Sequence, residues 1–97
     1  MNDFMVDINL PEYFDEKLVQ LIPYQRAFVY RLMQKGTIKN YSISADRQKL
    51  WVIINASSVN EVRQIIYSFP IFSFIRYKIH NLLIHDSGIL VPQLWLN

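Results

Sequence analysis

His80 is the side chain best suited to acid–base work here, because an imidazole titrates ordinarily at about 6.5, near neutral pH. It closes the alternating stretch Arg76-Tyr77-Lys78-Ile79-His80, whose period of two puts Arg76, Lys78 and His80 on one side of a strand. Asp7 sits likewise in Met5-Val6-Asp7-Ile8-Asn9; its carboxylate becomes a base if desolvated and stays inert if a cation pairs with it. Trp51 offers a ring on which a ligand can stack or a core can pack, and Ser42 offers a hydroxyl. His85 and Asp86 are neighbours that read either as the edge of a site or as a solvated pair, and no role is assigned to them. The two histidines are five residues apart and form no H-E-x-x-H, so no metal site is expected. Gly36 and Gly88 are the only glycines, which leaves no phosphate-cradling loop, and no G-x-S-x-G elbow occurs. The expected chemistry is free of cofactors, and no single residue is assigned as its catalytic group.

The elements that position these groups follow from periodicity. Residues 4–10 alternate, with Phe4, Val6, Ile8 and Leu10 on one face, and Pro11 ends the strand. Residues 12–35 have helical spacing through Phe14, Leu18, Leu21, Phe28 and Leu32, with Gln25 as a gap in the apolar stripe. Gly36 suits the helix end, and Pro23 predicts a kink or break near Ile22, with Pro23 opening a second segment. Residues 37–46 read as a strand, 46–49 as a hairpin turn, and 50–55 as a strand apolar on both faces, hence central. Ser58 and Glu61 fit a reciprocal capping box opening an amphipathic helix that ends at Pro70. Residues 74–85 read as a last strand. The order is βαββαβ, so the expected fold class is α+β, ferredoxin-like, with a four-stranded antiparallel sheet.

Right-handed crossovers put both helices on one side of such a sheet. Phe4, Val6, Ile8, Tyr41, Ile43, Leu50, Val52, Ile54, Tyr77 and Ile79 are expected to face them. The opposite face then carries Asp7, Ser42, Trp51, Arg76 and His80, the expected ligand-binding residues, among Met5, Asn40, Ile53 and Lys78. This mixture fits a pocket for a small organic molecule enclosed between two subunits. It equally fits a wet subunit interface, in which Asp7 pairs with Arg76 or Lys78.

Composition narrows the class. With 52% hydrophobic and 19% charged residues, the chain has more apolar surface than one small monomer hides, so self-association is expected. The net charge of +2 is scattered, which argues against nucleic acid as a partner. There is no signal peptide pattern or run long enough to span a membrane, so the expected location is the cytoplasm. Residues 1–87 are expected to form one domain. The last ten residues, 88–97, hold Ile89, Leu90, Val91, Leu94, Trp95 and Leu96, and are expected to pack on a neighbouring subunit.

Several stretches taken together resemble the muconolactone isomerase family. They are the run from Val6 to Pro11, the helix end Leu32 to Gly36, the helix start Ser58 to Val62, the corner Phe69-Pro70-Ile71-Phe72 and the run to His85. The resemblance implies a ferredoxin-like subunit assembling through its sheet into a dimeric α+β barrel or a ring of dimers. It also implies a cofactor-free proton shift within a small unsaturated lactone or acid. Ser42 and Ile43 stand where the family typically has a Trp-Arg pair, and Gln25 and Ala27 where it tends to have glutamates. His85 matches a polar position of the family. The resemblance therefore carries over fold and assembly but no catalytic residue. The expected function is small-molecule binding, with isomerisation as its enzymatic form; the alternative is a non-catalytic homo-oligomeric assembly module.

Overall fold

The computed structural model describes residues 1–85. β1 (Asn2–Asn9) leads to α1 (Glu16–Gln34), β2 (Ile38–Ile43), β3 (Lys49–Ala56), α2 (Val59–Tyr67) and β4 (Arg76–Asn81). The strands form one antiparallel sheet in the order β2-β3-β1-β4, the ferredoxin-like arrangement. Both helices cover the same face. Leu18 and Val29 of α1 and Val62 and Ile66 of α2 join Phe4, Val6, Ile8, Leu50, Val52 and Ile54 in one buried core.

Several boundaries differ from the sequence reading for identifiable reasons. The Asp15 carboxylate accepts the Leu18 N–H at 2.9 Å, so α1 starts there and not directly after Pro11. Pro23 does not divide the helix: α1 runs unbroken through it, with the ring on the exposed side. At the other end Gly36 has φ +78°, its N–H reaches the Met33 carbonyl and the Thr37 N–H reaches that of Leu32, which is a Schellman closure. The capping box is half formed. Ser58 Oγ accepts the Glu61 N–H at 3.2 Å, but the Glu61 carboxylate takes the Ser57 hydroxyl at 2.6 Å. A 3-10 turn over Phe72–Phe74 occupies the start of the expected last strand.

β2 carries the one change of phase. Ile38 lies opposite Ile54, and Asn40 lies opposite Ile53, so Lys39 is an extra residue in a bulge. The bulge lets Ile38 and Tyr41, an odd number of residues apart, both face the core. Ile43 lies opposite Leu50 and so on the helix-covered side, as expected, but on the edge strand it stays 55% exposed. The expectations about the tail 88–97 lie outside the described residues.

Candidate functional site

All five residues expected to bind a ligand lie on the helix-free face, and pairing orders them. Ser42, Trp51, Asp7 and Lys78 oppose one another in a single row across the sheet. The next row is Asn40, Ile53, Met5 and His80, and on the other side lies Lys49, Asn9 and Arg76. Arg76 and His80 thus flank the Asp7 row on opposite sides. His80 is exposed, and Trp51 is 37% exposed. The cation that pairs with Asp7 is Lys49, at 2.9 Å, and not Arg76 or Lys78; its Nζ also donates to Asn9 Oδ1 at 2.7 Å. Lys49 is the first residue of β3, one position before the stretch that periodicity marks as strand, and its side chain lies on this face.

One end of this face is crossed by the chain leaving β4. The Leu82 N–H donates to the Asp3 carbonyl on β1, and His85 Nε2 lies 3.2 Å from Asn40 Oδ1 on β2, the opposite edge. Beneath it, Asp3 receives the Asn55 amide at 2.9 Å and the Lys39 ammonium at 3.1 Å. Burial pushes the Asp3 carboxyl up, but Asn55, Lys39 and the nearby His85 outweigh it and hold it below the usual aspartate range. Among the described residues no three His, Cys, Asp or Glu side chains gather as a metal site would require.

The cavity lies on the other side of the sheet and touches none of the five expected residues. It measures about 490 Å³ and is a cleft, open on one side, between α1 and the β2–β3 half of the sheet. Leu18, Val29, Leu50 and Ile71 form its buried walls, while Arg26, Tyr30 and Ile43 stand exposed at its mouth. One polar side chain is buried in it: Gln25, 3% exposed. Its Oε1 accepts the Ile71 N–H, and its Nε2 donates to the Tyr41 hydroxyl, both at 3.4 Å. Ile71 belongs to the Phe-Pro-Ile-Phe corner, which is held by Phe69 packing edge-on to Phe28 of α1, 5.7 Å between centroids. The corner therefore sets the orientation of the Gln25 amide. Burial pushes the Tyr41 phenol up against the smaller opposing effects of Gln25 and Arg26, so it stays protonated across the ordinary pH range.

Sequence reasoning missed this site. Its signal was present as Gln25, the polar gap in an otherwise apolar helical stripe. A polar residue at a core-facing position needs a partner or a cavity, and here it has both.

The relatives agree with this architecture. The sequence profile described as "Muconolactone delta-isomerase" matches residues 3–88. The chain belongs to the muconolactone delta-isomerase family. Among solved structures, the crystal structure of muconolactone isomerase superposes with a TM-score of 0.72 at 23% identity. That match covers 92% of this chain and 96% of the other, and it establishes the shared ferredoxin-like fold. No curated protein matches the chain.

Proposed function

We propose that the chain binds a small, largely apolar organic molecule in the cavity between α1 and β2–β3. The observation carrying this reading is a volume of about 490 Å³ with apolar walls and one buried polar anchor, Gln25. Ligand sites are generally of this size and character. As an enzyme it would be an isomerase of the family's kind. A proton leaves one carbon and returns to another of the same molecule while the double bond shifts, a redox-neutral change that consumes no cofactor. The neutral Tyr41 phenol is suited to donate to an oxygen on which negative charge develops, and Arg26 to hold an anionic group. The described lining offers no carboxylate or imidazole, so the proton acceptor would come from outside it.

The helix-free face supports homo-oligomerisation as part of the same reading. It leaves Trp51 exposed beside the charged pair Asp7–Lys49, and no element of the described chain covers that row. This face alone, without ligand binding, is what the assembly-module alternative would use.

The test is titration of isotopically labelled protein with small unsaturated lactones and acids, followed by amide chemical shifts, with ultraviolet absorbance recording double-bond migration. Saturable shifts confined to α1, β2 and Ile71 support binding in the cavity. Shifts confined to β4 and the Asp7 row, or none at all, would overturn it.

A further inference from the structure

We infer that the cavity ligand is a monocarboxylate with an otherwise unsubstituted apolar body, its carboxylate held by Tyr41, Gln25 and Arg26. This inference rests on the cavity being the binding site. Gln25 and Tyr41 meet where α1 faces β2, and Arg26 stands at the mouth of the same cavity, near enough to act on the Tyr41 phenol. The Ile71 N–H donates to Gln25 Oε1, which uses that oxygen as an acceptor and turns the Nε2 amide toward Tyr41. Gln25 Nε2 donates to the Tyr41 oxygen, which leaves the Tyr41 O–H proton to donate elsewhere. One N–H of the Gln25 amide is also left over, and Arg26 brings a guanidinium.

Three donors lining one cavity, with no opposing carboxylate in the described lining, match an acceptor-only group. A carboxylate is such a group and forms the stronger, charge-assisted kind of hydrogen bond. Both contacts of Gln25 are long at 3.4 Å, so a ligand oxygen can draw these donors in without breaking a short bond.

The rest of the wall decides the body. Toward the start of α1 the cavity is bounded by Phe14, Leu18 and Ile22, with Leu10 and Leu50 from the sheet side. No side chain there donates or accepts a hydrogen bond. A second carbonyl or hydroxyl on the ligand would lose its water and gain nothing, which is costly. The cavity therefore discriminates an acid with a hydrocarbon chain or aryl ring from a ligand polar at both ends.

The experiment compares 3-phenylpropanoate, 3-phenylpropanol and a lactone-bearing acid of similar size by calorimetry on the full chain. The expected result is roughly tenfold tighter binding of 3-phenylpropanoate than of the alcohol, and of 3-phenylpropanoate than of the lactone acid. Tyr41→Phe and Arg26→Gln should each lower affinity for the acid several-fold, and that for the alcohol by distinctly less. Far-ultraviolet circular dichroism of each variant checks that it is folded. Equal affinity for acid and alcohol, or variants that weaken both alike, would overturn the carboxylate assignment while leaving the cavity as a site. A lactone acid that binds as tightly as 3-phenylpropanoate would overturn the apolar body. Failure of all three compounds to bind would remove the cavity reading itself.

Discussion

Gln25 carries two functions through one amide. It satisfies the backbone N–H of Ile71 inside the core and presents its other end to the cavity. Replacing it by leucine of similar size leaves that N–H without its partner, a loss of about 1–3 kcal/mol. Urea unfolding of Gln25→Leu should show that decrease; an unchanged midpoint would mean that the N–H finds water. Asp3 makes a separate, pH-dependent prediction. Its carboxyl is held below the usual range, so its folded state binds fewer protons than the unfolded chain. The stabilisation is present above the ordinary aspartate value of about 3.9 and is lost as pH falls through the lower folded value. Asp3→Asn should therefore flatten the loss of stability in that acid window. Urea midpoints measured from about pH 2 to pH 7 check it, and parallel curves for the two proteins would refute it.

The elements show where local rules yield to packing. Pro23 lacks an N–H and clashes with the preceding turn, yet α1 continues through it because its flanking turns are held by Leu18, Gln25 and Val29. The strain remains. Pro23→Ala should stabilise the chain by about 1–3 kcal/mol, read as a higher thermal midpoint. A lower midpoint would mean that the proline shapes the wall of the cavity. Gly36 lies at the opposite extreme. A Cβ there would meet nothing within 4 Å, so the cost of Gly36→Ala comes from its φ of +78° alone. That cost is about 1 kcal/mol, and a larger one would mean that the loop to β2 moves. The bulge at Lys39 is a third device, since it restores the inward phase of Ile38 ahead of Tyr41.

At the scale of the whole molecule, one sheet separates two environments. Its helix-covered side holds the core and the cavity; its open side holds Trp51, Asp7, Lys49 and His80. Self-assembly through the open side predicts that Trp51→Lys lowers the sedimenting mass without changing the circular dichroism spectrum. Unchanged sedimentation at micromolar concentration would argue against that face as the interface. Because the cavity is on the opposite side, the same variant should keep its affinity for 3-phenylpropanoate.

Local pattern alone was enough to read the βαββαβ order, the inward sets of β1 and β3 and the grouping of Asp7, Ser42, Trp51, Arg76 and His80 on one face. These follow from a period of two that each strand carries locally, and the Phe-Pro-Ile-Phe corner pointed to the family. The place of the cavity emerges with folding, because a cavity is set by how far α1 stands from the β2 edge, and no local period encodes that distance. Folding also decided the partner of Asp7, since Lys49 reaches it across a strand pair. Gln25 belongs to both levels. The sequence marked it as a polar residue in an apolar stripe, and the fold brought Tyr41 and Ile71 to it from elements 16 and 46 residues away.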